Sequence, residues 1–190
     1  IGGVMKIYFV RHGQTDFNAG KVYASGDIDH ELNEIGIEQA QQARNQLKDT
    51  SFDIIISSPL RRAKKTAEII NEYHGQEIQF DERIKERYAG ALSKAPSLDE
   101  WNKLFDFDDE LIVEGGERAS DFFERVYSFL NDLSTRYGDQ TILVVSHGGV
   151  RHAFHAYFHQ LPWKGNLRIN RTENGEIIEF DSQNRRREAL

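Results

Sequence analysis

The sequence of 190 residues has no cysteine, only three prolines and a single methionine. Without cysteine there can be no disulfide, no thiolate nucleophile and no cysteine-based zinc site. That suits a reducing compartment, and a cytoplasmic location is the expectation. Few prolines, no low-complexity tract, 38% hydrophobic and 29% charged residues argue for a packed domain rather than a disordered chain. No apolar run approaches the roughly 20 residues of a membrane-spanning helix, so no membrane partner is expected. Positive charge is also scarce. A formal net charge of −7 opposes general nucleic-acid binding, and an anionic ligand would need the arginines gathered in one place. The length fits one domain, able to bury roughly 70% of its unfolded surface. We place it at residues 5–181, with residues 1–4 as a candidate cloning remnant before Met5 and residues 182–190, with Arg185, Arg186 and Arg187, as a solvated tail.

The pattern is organised around I-Y-F-V-R-H-G-Q-T at residues 7–15. Ile7, Tyr8, Phe9 and Val10 read as a buried strand that delivers Arg11 and His12 to its carboxyl end, where open α/β sheets place ligand crevices. Gly13 would let the backbone pass close to a ligand. Residues 16–31 read as a binding loop over the mouth of that crevice, and residues 34–48 as a packing helix. A second strand at residues 52–57 leads through Ser58-Pro59 into a helix ending near Tyr73. Residues 78–80 read as a short strand, residues 81–91 as a charged loop, and residues 97–105 as a short helix. Phe122, Val126, Phe129 and Leu133 form one helical stripe over residues 119–137. The strand T-I-L-V-V-S at 141–146 then ends at His147-Gly148-Gly149, repeating the delivery of a histidine, and a helix should run from Val150 to about His159. Asn174-Gly175 signals a hairpin within residues 166–181. This β-α alternation predicts a three-layer α/β/α fold with a mostly parallel sheet and an antiparallel C-terminal addition.

Four features combine: Arg11-His12-Gly13, Arg62 in S-S-P-L-R-R-A-K-K-T-A, Glu86 in the charged loop, and His147 in S-H-G-G. Their order, at strand ends, resembles the histidine phosphatase superfamily with its R-H-G motif, whose other well-known branch is the cofactor-dependent phosphoglycerate mutases. The resemblance implies that His12 is the nucleophile and becomes phosphorylated, that Arg11, Arg62 and His147 hold the phosphoryl group, and that Glu86 is the proton donor. Asn18, Ser25 and Gly26 in the first loop, and Gly148, are candidate substrate-binding residues. Elementary chemistry agrees with such roles. Phosphoryl transfer is mostly positioning and stabilisation of charge on equatorial oxygens, which guanidiniums and a histidine can supply without a metal or other cofactor. A departing alcohol needs a proton from a nearby acid. Of the adjacent Arg61 and Arg62, only one can face a given ligand, since neighbours on a helix diverge by about 100°.

E-R-Y-A-G-A-L at residues 86–92 looks like the mutase form of the acid loop. Ala89, however, stands where a mutase would carry a substrate-contacting tyrosine, and no paired arginine lies between Ser93 and Glu117. The chain is also shorter than mutases usually are, which would leave a phosphohistidine open to water. The expected activity is hydrolysis of a small phosphate monoester, with mutase as the alternative and a non-catalytic phosphate-binding protein as a rival of another class. Ser25 and Glu31 depart from the glutamine and proline of many relatives. His152, His155 and His159 share a helix face, but three ligands spread over about 10 Å do not suit one ion's coordination shell, so no metal site is expected.

Overall fold

A computed structural model describes residues 4–20, 25–93, 104, 106–107, 111–162 and 172–183. Its centre is a five-stranded sheet in the order β3-β2-β4-β1-β5. The strands are β1 (Lys6–Arg11), β2 (Ile54–Ser57), β3 (Ile78–Phe80), β4 (Thr141–Ser146) and β5 (Ile177–Asp181). β1, β2, β3 and β4 run parallel, and β5 lies antiparallel on β1. Helices whose whole span falls among the described residues are α1 (Asp16–Ala19), α2 (Glu34–Leu47), α3 (Arg61–Asn71), α4 (Ala119–Arg136) and α5 (Gly148–Phe158).

Period-two side-chain alternation divides the core in two. Ile7, Phe9, Ile142 and Val144 point to one face and pack with Phe122, Val126, Phe129 and Phe154 of α4 and α5. Val10, Leu143 and Val145 point to the other and pack with Ala43, Leu47, Ala63 and Ile70 of α2 and α3. The middles of the central strands β1, β2 and β4 thus carry apolar residues towards both faces, and both faces are covered, which gives the three expected layers.

Several boundaries differ from the sequence reading for local reasons. Within the segment read as loop, Thr15 caps α1, and Asn18 returns a bond to the Thr15 main-chain N–H. Leu60, not Ser58 or Pro59, is the N-cap of α3. The charged segment contains two 3₁₀ turns, Glu82–Ile84 and Gly90–Ser93, the first capped by the Asp81 carboxylate. α5 begins two residues before Val150, with His147 itself as N-cap. Most of the helix expected at 97–105, and the first arm of the hairpin before Arg171, lie outside the described residues. The turn itself is present, with Gly175 at φ +77°, a conformation that favours glycine.

Phe154 touches Phe9, Phe180 and Phe129, with ring centroids 5.0, 5.7 and 6.2 Å away. Truncation to alanine removes a ring with no room to collapse. Phe154→Ala should therefore cost about 3–5 kcal/mol of unfolding free energy, measured by urea denaturation, whereas substitution at exposed Ile112 should be nearly neutral.

Candidate active site

The register of β1 on β4 pairs Arg11 with Ser146, so the residues that follow, His12 and His147, leave the sheet side by side. The His12 N–H donates to the Ser146 carbonyl at 2.9 Å, and the two imidazole centroids are 5.1 Å apart. This is the carboxyl end of neighbouring parallel strands, the location a doubly wound sheet reserves for ligands.

His12 Nδ1 lies 2.7 Å from the Gly13 carbonyl oxygen. That oxygen can only accept, so Nδ1 carries the proton and Nε2 keeps its lone pair. Burial, reinforced by the Arg62 and Arg11 guanidiniums, holds the His12 imidazole well below the ordinary histidine range. Gly13 also meets a packing requirement that the sequence does not announce. A Cβ there would sit 2.2 Å from the Gly36 carbonyl oxygen, so the close approach is to the first turn of α2. Thr66 of α3 accepts the Gly13 N–H.

The adjacent arginines of α3 diverge. Arg62 is fully buried and donates to the carbonyls of Ile28 at 2.9 Å and Ser25 at 3.2 Å. Arg61 is exposed and paired with Glu31. Arg11 donates to the Thr172 carbonyl, and its guanidinium lies beside Gly148. His147 is completely buried, with Nε2 2.8 Å from Ser58 Oγ, and burial followed by Arg62 keeps it neutral.

Glu86 is carried to the same end by the segment after the Glu82–Ile84 turn. Its Oε2 accepts the Gly149 N–H at 3.0 Å and its Oε1 accepts the Arg87 N–H at 2.9 Å. A Cβ on residue 149 would fall 2.2 Å from Oε1, so the second glycine of H-G-G makes room for this carboxylate at the start of α5. Other carboxylates close to this segment are used otherwise: Asp81 pairs with Arg83, Glu82 with Lys85 and Glu117 with Arg125.

The structure thus gathers Arg11, His12, Arg62, Glu86 and His147. The four residues named as substrate-binding are less uniform. Asn18 completes the α1 cap, the Ser25 hydroxyl bonds Asp27, and Gly26 donates its N–H to the Arg87 carbonyl. Gly148 lies against Arg11. His155 and His159 lie against each other with ring centroids 4.3 Å apart and planes tilted by 47°, while His152 packs edge-on against Phe107.

Some supporting residues escaped the sequence reading. Asn174 donates to the His12 carbonyl at 2.9 Å, and the Gly175 N–H bonds the Arg11 carbonyl. Arg125 of α4 donates to the carbonyls of Arg83, Lys85 and Glu86, fixing the backbone that carries the acid. The Asn-Gly pair was visible only as a turn signal. Arg125 sits on the polar side of an amphipathic helix, where no sequence pattern sets it apart.

Comparison with known proteins adds the decisive observation: a family model described as the histidine phosphatase superfamily (branch 1) matches residues 7–190. The chain belongs to this superfamily. The Bacillus subtilis protein named "Uncharacterized phosphatase PhoE" is 37% identical over 148 residues, covering 77% of this chain and 74% of the relative. "Probable phosphoglycerate mutase GpmB" of Salmonella choleraesuis is 35% identical over 152 residues, covering 76% and 70%. Among solved structures, the alpha-ribazole phosphatase from Shigella flexneri superimposes with a TM-score of 0.81 at 28% identity, covering 92% of this chain and 89% of that one. A mycobacterial glucosyl-3-phosphoglycerate phosphatase in complex with VO3 gives 0.79 at 26% identity, covering 92% and 90%. These similarities make the chain an enzyme of the phosphatase kind, in a superfamily where mutase-named relatives also occur.

The site's neutral histidines carry a stability consequence. His12 and His147 are held neutral as above, and burial pushes His152 down to about 4. Unfolded histidines protonate below about pH 6.5, so there the unfolded state binds more protons and stability falls with pH. Urea unfolding should show a loss of about 2 kcal/mol from His152 alone between pH 7 and pH 5. His152→Gln should flatten the profile by that amount; an unchanged profile would show that His152 protonates freely in the native state.

Proposed function

We propose that the protein hydrolyses phosphate monoesters of small metabolites through a phosphohistidine on His12 Nε2. The observation that carries this reading is the bond from His12 Nδ1 to the Gly13 carbonyl, which leaves a neutral nitrogen with its lone pair beside two guanidiniums. Nε2 attacks phosphorus and the ester P–O bond breaks. Arg11, Arg62 and His147 bear the charge on the other phosphoryl oxygens, and Glu86 gives a proton to the departing alkoxide. Glu86 then takes a proton from water as its oxygen attacks phosphorus, the P–N bond breaks, and inorganic phosphate leaves. These groups balance the phosphate charge without a metal, and the lack of cysteine suits a cytoplasmic enzyme. Asn18, Ser25, Gly26 and Gly148 line the approach to this centre in our reading, which takes residues 5–181 as the catalytic domain.

Rapid acid quench with a labelled monoester, in EDTA, should trap label on the wild type. His12→Ala should trap none and lose turnover by at least about 10³-fold while keeping its fold. Substantial turnover by the variant, or loss of wild-type turnover in EDTA with rescue by a divalent ion, would refute the mechanism.

Mutase-named relatives and the E-R-Y-A-G-A-L segment motivate the second reading. Against it, Ala89 is buried, bridges to Gly116 and donates its N–H to Asp27, offering a substrate no side-chain polar group. Given 3-phosphoglycerate and a bisphosphorylated cofactor, the enzyme should release phosphate much faster than it isomerises the glycerate. Glu86→Gln should slow alkyl phosphates by about 10²-fold or more and aryl phosphates far less, because an aryl leaving group needs little proton assistance. An equal loss for both would remove Glu86 from the acid role.

A further inference from the structure

His147 Nε2 lies 2.8 Å from Ser58 Oγ, whereas His147 Nδ1 is buried and has no hydrogen-bond partner among the described residues. Either ring nitrogen could carry the proton of a neutral imidazole. Ser58 resolves the choice. Its oxygen receives the Leu60 N–H at 3.4 Å, and a main-chain N–H can only donate. A second lone pair remains on that oxygen, so the hydroxyl proton decides the direction: among the described residues His147 Nε2 is the acceptor within its reach, and a Ser58 that only accepted would leave a buried O–H unpaired. Ser58 is also firmly placed: it follows β2, its own N–H bonds the Val145 carbonyl at 3.0 Å, and it is fully buried. Neighbouring hydroxyls are engaged elsewhere, Ser57 with the Ser58 carbonyl and Ser146 with the Ile84 carbonyl.

We infer that Ser58 donates its hydroxyl proton to His147 Nε2 and so fixes His147 as the Nδ1–H tautomer, leaving Nδ1–H to donate to a phosphoryl oxygen. Ser58 is thereby a positioning residue that acts through His147. The second half of the inference rests on the proposed hydrolysis, whereas the tautomer itself does not. His12 and His147 then hold the same tautomer for opposite ends. In His12 the Nδ1–H is consumed by the Gly13 carbonyl and the lone pair is offered. In His147 the lone pair is consumed by Ser58 and the N–H is offered. Because burial and the nearby guanidiniums keep both rings neutral, the tautomer decides whether a phosphoryl oxygen meets a donor or a repelling lone pair.

The test is ¹⁵N correlation spectroscopy of the imidazole nitrogens at pH 8, joined to kinetics on one phosphate monoester. Wild-type His147 should show a protonated Nδ1 and an unprotonated Nε2. Ser58→Ala should populate the Nε2–H form and lower kcat by about tenfold, and Ser58→Thr, which restores a hydroxyl, should recover the wild-type tautomer and most of kcat. An Nε2–H form in the wild type, or an unchanged tautomer in Ser58→Ala, overturns the inference. A shifted tautomer with unchanged kcat overturns the role of Nδ1–H towards phosphate. A wild type that holds Nδ1–H yet hydrolyses no monoester overturns the proposed function and leaves the tautomer assignment standing.

Discussion

The parallel pairing of β1 with β4 is the constraint on which the rest depends. With Arg11 opposite Ser146, both strands end at one level and each passes directly into a histidine. A slip of one residue would invert every side chain of a strand, placing Phe9 where Val10 belongs and separating His12 from His147 along the strand axis. The core blocks that slip from both faces. Phe9 fits only the aromatic side beneath Phe154 and Phe180, while Val10 meets the small residues of α2 and α3. The catalytic geometry is therefore held by burial of apolar surface well away from the chemistry.

A fully buried guanidinium on Arg62 and a half-buried one on Arg11 would be costly without hydrogen-bond partners, and main-chain carbonyls supply them. Arg62 binds the carbonyls of Ser25 and Ile28, and Arg11 that of Thr172. Each arginine thus ties a separate piece of chain to the site. A carbonyl provides a partner without neutralising the cation. A carboxylate in the same place would have satisfied the arginine and cancelled its use. Arg125 shows the contrast: it also binds three carbonyls of the Arg83–Glu86 segment, but the Glu117 carboxylate meets its charge, so it holds backbone rather than an anion.

Much of this was legible because the signals were periodic or abrupt. Apolar strands stopping at R-H-G and S-H-G-G, and the stripe from Phe122 to Leu133, specify elements whose packing needs every residue of the pattern. The illegible parts depend on single contacts between segments distant in sequence. Nothing local distinguishes Asn174 as the group that holds the His12 carbonyl, 162 residues away, nor Arg125 as the anchor of the acid segment. Ser58-Pro59 signals a helix start, yet α3 begins three residues after Ser58, whose hydroxyl lies against His147. The 3₁₀ turns were missed because a three-residue turn has no period to detect. Gly149 was seen as one of a pair, while its requirement comes from the Glu86 carboxylate packed against it.

Charge accounting explains why neutral histidines suit this centre. A phosphate monoester near neutral pH carries close to two negative charges, and Arg11 and Arg62 bring two positive ones that do not titrate in the working range. A protonated His12 would have no lone pair to attack with, and a protonated His147 would add repulsion in a site already occupied by two cations. In the proposed reaction the guanidiniums that would attract the substrate also help burial to hold both imidazoles neutral. Binding the anion in turn offsets the repulsion between Arg11 and Arg62, and since those arginines grip residues 25–28 and Thr172, occupancy of the site should tighten both segments together.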